Sequence, residues 1–253
     1  MNNFNIFKKI KKNFFILLLC VSAVTFGKET QAYENLPIMD PFEKYNRKTH
    51  NFNKFIDKVV LRPASQLYGN YVHQYFRLSA ASFHNNLQEP KRFANHLVQG
   101  QFARASGDFQ RFALNSTVGI LGLFDIASWL GFFPEDTDFD ETFAYWSIAN
   151  GPYIELPFLG PSSLRGSFGA LADYTVNPLL ILSGPIPNLS FATFEIVNII
   201  NTRHEYAQVF DSLLYESSDS YSSSRLTFFQ RSKSLGQSPK EIPYELFDPL
   251  EKF

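Results

Sequence analysis

Apolar residues are abundant in this chain, yet nowhere do they run together long enough to cross a bilayer. A membrane-spanning helix needs about 20 consecutive, mostly apolar residues. Here clusters of Phe, Tyr, Leu and Ile are broken every few positions by Asn, Asp, Arg or Gln, although the 253 residues include 28 Phe, 12 Tyr and 2 Trp. Apolar residues at three- and four-residue steps predict amphipathic helices that meet lipid, or each other, along one stripe. Such a chain is suited to work at a membrane without threading it.

The N-terminus reads as an export signal. Lys8, Lys9, Lys11 and Lys12 form a basic region and Phe14 to Val24 is apolar apart from Ser22, with small residues beyond it. Cleavage after Gly27 or after Ala32 fits that pattern, and an uncleaved anchor is the alternative. Residues 1–32 therefore stand apart from a domain over 33–232 and a tail over 233–253, rich in Ser, Pro, Lys and Glu and read as flexible. Cys20 is the single cysteine, which excludes an intrachain disulfide and a cysteine metal site. It stands after Leu17-Leu18-Leu19, where a lipoprotein acceptor cysteine would be, whereas lipoprotein processing favours a small residue in place of Leu19. Removal of residues 1–32 takes away five Lys and one Glu, leaving 18 basic against 23 acidic residues. No basic stretch remains to hold nucleic acid, and membrane affinity has to come from apolar burial.

Asp40-Pro41 predicts the start of a first helix, with Asp as N-cap and Pro at the first helical position. Phe42, Tyr45, Phe52, Phe55, Ile56 and Val59 give it an apolar face, and Arg62-Pro63 ends it. A second helix is expected over about 65–87, a third from Pro90 to Gly100, and a fourth marked by Phe102, Phe109, Phe112 and Ala113. From Val118 to Phe133 the chain is more evenly apolar, and Gly119, Gly122 and Gly131 are placed to let neighbours approach closely. Pro134 to Glu141 reads as an acidic loop, and Phe143 to Leu159 as extended chain and turns with a short hairpin. Ser162 is expected to cap the next helix, Asn188 or Ser190 to open the longest one, lasting to about Tyr215, and Asp219 to cap the last. The fold class is mainly α.

No catalytic motif is present. Gly160-Pro161-Ser162-Ser163-Leu164 has Pro where a nucleophile turn needs freedom, and His204-Glu205 is not followed by a second His at the zinc-protease spacing. His50, His73, His84, His96 and His204 each sit alone on a predicted helix and read as packing or surface residues. The chain is accordingly read as no enzyme, with no cofactor, although a triad assembled in space lies beyond a sequence motif. Asn51, Asn53, Asn85, Asn86, Asn115 and Asn150 fall beside aromatic positions. Amides among Phe suit a path wet on one side and greasy on the other, and equally suit helix caps and turns. Arg111, Asp125, Arg165 and Asp173 are charges within apolar stretches and are read as structural clamps, because buried charges persist only when paired.

Five blocks, taken in order over roughly residues 40–231, resemble the MlaA/VacJ family of outer-membrane proteins. The first is Asp40-Pro41-Phe42-Glu43-Lys44-Tyr45-Asn46-Arg47 followed by Asn51-Phe52-Asn53, and the second Asn86-Leu87-Gln88-Glu89-Pro90. Arg111-Phe112-Ala113-Leu114-Asn115 then leads to Gly119, Gly122 and Asp125. Gly151-Pro152-Tyr153, Pro157 and Gly160 to Arg165 match the central segment, and Asp219, Tyr221, Arg225 and Gln230-Arg231 the last helix. The resemblance implies a ring-like assembly of amphipathic helices in the periplasm-facing leaflet of the outer membrane. It implies a channel for misplaced outer-leaflet phospholipid, association with porin trimers, and delivery to a soluble periplasmic carrier of the same system. It also places channel control at Asn51, Phe52 and Asn53. Two positions depart from the family pattern: the surroundings of Cys20, and Asp140-Glu141 with Ala144-Tyr145 where small residues are usual. A soluble periplasmic lipid carrier, a membrane-bound phospholipase and a porin-associated scaffold are the competing readings.

Overall fold

A computed structural model describes residues 40–176 and 189–234. Helix α1 (Glu43–Ile56) passes through a π-helical turn (Asp57–Leu61) directly into α2 (Arg62–Tyr71). Pro63 does not end the helix as expected, because it lies in the first turn of α2, where its missing N–H is needed least. The break comes instead at Val72, which turns to an extended conformation. His73 then caps α3 (Gln74–Val98). This 25-residue helix contains Pro90 in its interior, so the two helices expected over 65–87 and 90–100 are differently divided. Gly100, at φ +74°, closes α3: Gln101 N–H reaches the His96 carbonyl and Gly100 N–H the Leu97 carbonyl, a Schellman ending.

The chain turns back into α4 (Phe102–Thr117), and α3 against α4 is the most extensive helix pair. A loop leads to the short α5 (Ile126–Trp129), capped by Asp125, and Asp138 caps α6 (Phe139–Tyr145). Strands β1 (Tyr153–Leu156) and β2 (Gly160–Ser163) form one antiparallel hairpin, with Tyr153 opposite Ser163 and Leu156 opposite Gly160. Helix α7 (Leu164–Val176) follows, and the Ser163 hydroxyl, not that of Ser162, accepts from the Gly166 N–H at 3.0 Å. Helix α8 (Leu189–Glu205) is shorter than α3 and breaks at Tyr206, well before Tyr215. Next come α9 (Ala207–Asp211), a second π-helical turn (Ser212–Glu216) and α10 (Ser220–Ser234). Cys20, the export signal, Asn188 and all but the first two tail residues lie outside the described residues.

Polarity is inverted relative to a water-soluble domain. In α1 the buried positions are Asn46, Thr49 and His50; in α3 they are Asn86, Glu89, Arg92, Asn95 and His96; in α4 they are Ala105, Asp108, Arg111 and Asn115. Each set follows a three- and four-residue step, so the stripe that packs inward is the polar one. Among the described residues, the buried apolar side chains are only Ala105, Ala127, Phe139, Tyr153 and Tyr221. More than thirty large apolar side chains, including Tyr45, Phe55, Phe102, Phe109 and Trp129, are exposed. At roughly 100 Å² each they present on the order of 3,000 Å² of apolar side chain to the surroundings.

Candidate functional site

The first family block, the hairpin and the last helix meet in one buried junction. Asn46, fully buried, donates to Asp40 Oδ1 at 2.8 Å and to the Tyr153 carbonyl at 3.1 Å, while its own oxygen accepts from Glu155 N–H at 2.9 Å. Asp40 does not cap α1 as expected. Its carboxylate accepts from Arg225 at 2.8 Å and from the Tyr221 hydroxyl, both on α10. Pro41 occupies the turn ahead of α1. Arg47 forms a fork to Asp219 at 3.1 and 3.2 Å, which holds the Asp219 carboxyl well below the usual carboxylate range. Asp219 also caps α10 through the Tyr221 and Ser222 N–H groups. Period-two alternation along β1 buries Tyr153 and Glu155 together. Burial first, and the hydroxyl's bond to Glu155 second, push the Tyr153 phenol far up.

His50 is not solitary: its Nδ1 lies 3.1 Å from Glu155 Oε1 and its Nε2 lies 3.0 Å from the Ser220 hydroxyl. Farther along α1, Asn53 clasps the hairpin tip, donating to the Leu156 carbonyl at 2.9 Å and accepting from Phe158 N–H at 2.8 Å. Phe52 meets Phe158 edge-on, with ring centroids 5.2 Å apart, and Asn51 is exposed. Pro157, Phe158 and Leu159 form the exposed tip, Gly151 precedes β1, the Pro152 carbonyl accepts from Leu164 N–H, and Gly160 at φ +79° opens β2.

The second and third blocks converge on Arg111. Its guanidinium, 2 % exposed, donates to Glu89 at 2.7 Å, to Ser128 at 3.1 Å, to the Phe132 carbonyl, and to both Asp125 oxygens at 3.2 and 3.3 Å. Asn115 joins Asp125 to the Ala127 N–H. Glu89 is fully buried and also paired with Arg92, yet burial pushes its carboxyl up. Above this hub Asn86 donates to Ser116 and to the Leu121 carbonyl, and Gly122, at φ +93°, passes so close that a Cβ would lie 2.4 Å from Asn86 Cβ. Gly119 is equally crowded, whereas Gly131 faces open space and serves its φ of +88° instead of a close approach.

Arg165 and Asp173 do not pair with each other. Both grip the start of α6: Arg165 donates to Asp140 at 2.6 Å and to the Ile148 carbonyl, and Asp173 accepts from Phe139 N–H. Burial raises the Asp173 carboxyl to about 6. A fourth cluster, missed in the sequence, joins the two π-helical turns: Arg203 pairs with Asp57 and Asp211, and the Tyr215 hydroxyl donates to Asp57 at 2.8 Å. Spacing alone gave no sign of it, because its members come from distant elements.

Helices with outward apolar faces, joined inside by ion pairs and by hydrogen bonds of Asn side chains, define a helical protein whose exposed surface is apolar. A family model described as MlaA lipoprotein matches residues 38–235, and the chain belongs to that family. It is 33% identical over 218 residues to the intermembrane phospholipid transport system lipoprotein MlaA of Escherichia coli (strain K12), covering 81% of this chain and 82% of that protein. An uncharacterized protein of Rickettsia felis is 31% identical over 208 residues, covering 82% of each. A solved structure reported as the structural basis for maintenance of bacterial outer membrane lipid asymmetry superposes with a TM-score of 0.67 at 30% identity, covering 78% of this chain and 98% of that one.

Proposed function

We propose that the chain is the outer-membrane component of an intermembrane phospholipid transport system, removing mislocalised phospholipid from the outer leaflet and so maintaining lipid asymmetry. The inverted polarity carries this reading. Outward Phe, Tyr and Leu gain from hydrocarbon contact, while helices and a hairpin keep their backbone groups bonded internally. No helix among the described residues is long and apolar enough to cross a membrane, which suits residence in the periplasm-facing leaflet. The name carried by the Escherichia coli relative supports the same role.

In this reading residues 33–232 are the working domain, behind an export signal at 1–32 and ahead of a tail at 233–253. Porin trimers and a soluble periplasmic carrier of the same system are its protein partners. Asn51, Phe52 and Asn53 control the path by holding the hairpin tip, since Phe52 and Asn53 both contact it. Moving a lipid makes and breaks no covalent bond, so the transport role is not itself enzymatic.

The test is the amount of phospholipid exposed on the cell surface with and without this chain. An increase on loss, reversed by re-expression, is expected. No change, with the protein recovered from the periplasm without detergent, would favour a soluble carrier; no change with porin binding intact would favour a scaffold.

A further inference from the structure

Ser220, His50 and Glu155 come from three separate elements and stand in line. The hydroxyl lies 3.0 Å from one imidazole nitrogen, and a carboxylate oxygen lies 3.1 Å from the other. Hydroxyl, imidazole and carboxylate in that order are what nucleophilic acyl transfer requires, whatever fold carries them. His50 and Glu155 are buried, whereas Ser220, the first residue of α10, is half-buried. Tyr153 donates its hydroxyl to the second Glu155 oxygen at 2.5 Å, so the carboxylate is held from both sides. The Lys54 ammonium, one turn beyond His50 on α1, lies 3.2 Å from the Ser220 hydroxyl. The next residue, Phe55, is among the exposed aromatics against which an acyl chain would lie.

We propose that this junction is a serine acyl-hydrolase site acting on the ester carbonyl of a glycerophospholipid; the choice of substrate class rests on the transport reading. Ser220 Oγ attacks the carbonyl carbon while its proton passes to His50 Nε2. The ester C–O bond then breaks, and the imidazolium gives that proton to the departing lysolipid oxygen. Water attacks the acyl-Ser220 ester next, transferring a proton to His50, and the fatty acid leaves as Ser220 Oγ regains it. Lys54, which donates to Ser220 Oγ, is the cation nearest the bond that forms and would offset negative charge developing on the carbonyl oxygen. Glu155 is a positioning residue: it fixes the tautomer that carries hydrogen on Nδ1 and leaves Nε2 free to accept.

The full chain, purified in detergent, is mixed with micelles of a diacyl phosphatidylethanolamine, and lysolipid and fatty acid are measured by mass spectrometry. Release is expected to fall about 1,000-fold in S220A and in H50Q, each compared with the wild-type chain at equal folded fraction by circular dichroism. E155Q is expected to change the pH dependence of kcat/KM set by His50, whereas a smaller folded fraction would lower the rate by the same factor at every pH. A fluorophosphonate probe is expected to label Ser220 in the wild-type chain and not in H50Q. No release by the wild-type chain, or equal release by S220A, overturns the site. A chain that hydrolyses nothing but restores asymmetry to deletion cells leaves the transport reading standing; one that hydrolyses lipid without restoring asymmetry does the reverse.

Discussion

Replacing Arg111 by Met tests whether the polar interior holds this fold together. Arg111 neutralises Glu89 and Asp125 and also binds Ser128 and the Phe132 carbonyl. Removing one partner of a buried pair costs about 3–5 kcal/mol. Against a typical total of about 5–15 kcal/mol that is a large fraction. At about 2–4 °C per kcal/mol for a domain of this size, the midpoint should drop by about 6–20 °C. Glu89 limits the loss, because a carboxyl already raised by burial takes up a proton more readily when Arg111 is gone and Arg92 is its one remaining cation among those that face it. Its folded pKa then lies farther above the unfolded value, so this part of the stability is present at low pH and lost as pH rises. R111M should therefore be less impaired at pH 5 than at pH 8. The double variant R111M/E89Q should recover more than half the loss, since Asp125 keeps Asn115 and Ser128 as partners. Thermal unfolding in detergent, followed by circular dichroism, reads all three. A midpoint for R111M within about 2 °C of the wild type would falsify the argument.

Asp173→Asn should gain stability relative to the wild type as pH rises from 4 to 7, by up to about 3 kcal/mol. Burial raises the Asp173 carboxyl to about 6, so its favourable contribution is full below about 4 and lost through 6; a difference in melting temperature that is flat with pH would refute this. Asn53→Ala removes both clasps on the hairpin tip and should speed amide exchange at Phe158, with a loss of about 1–2 kcal/mol; unchanged exchange would show that the tip holds itself. Phe52→Asp places a charge against Phe158 and should raise surface phospholipid in cells while the protein is still recovered in membranes; unchanged surface phospholipid would remove Phe52 from the path. Gly122→Ala should cost more than about 1 kcal/mol, because it meets both a positive φ and the Asn86 side chain; a midpoint equal to the wild type would mean that the loop yields freely.

Much of the helical layout was legible because periodicity and caps are local signals. Asp219 was visible as the cap of α10, and Phe102 to Ala113 as a helix. What periodicity does not carry is which face points inward. Phe42, Tyr45, Phe52 and Phe55 mark α1 as amphipathic whether they meet a core or a bilayer, and only the packing shows that Asn46 and His50 are inside. Proline misled for a physical reason: Pro63 and Pro90 look like boundaries, but one occupies a first turn and the other sits within α3. Arg111 and Asp125 were recognisable as charges in need of partners, and Glu89 stood in its own block. Their mutual contact, like that of His50 with Glu155 105 residues away, depends on tertiary approach that no local pattern records.

The closure between Asp40 and α10 has a consequence for how the chain is made. Asp40 reaches Tyr221 and Arg225 across 181 and 185 residues of sequence. A polypeptide emerging amino end first therefore carries the carboxylate of Asp40 without Tyr221 and Arg225, and the guanidinium of Arg47 without Asp219, until nearly everything else has been synthesised. Burying those groups early would leave charge and hydrogen bonds unmet, so the opening segment should stay solvated and accessible to proteases during that interval. A product truncated before Ser220 should remain in that state permanently, and α10 would then act as a completion check that lets only full-length chains settle.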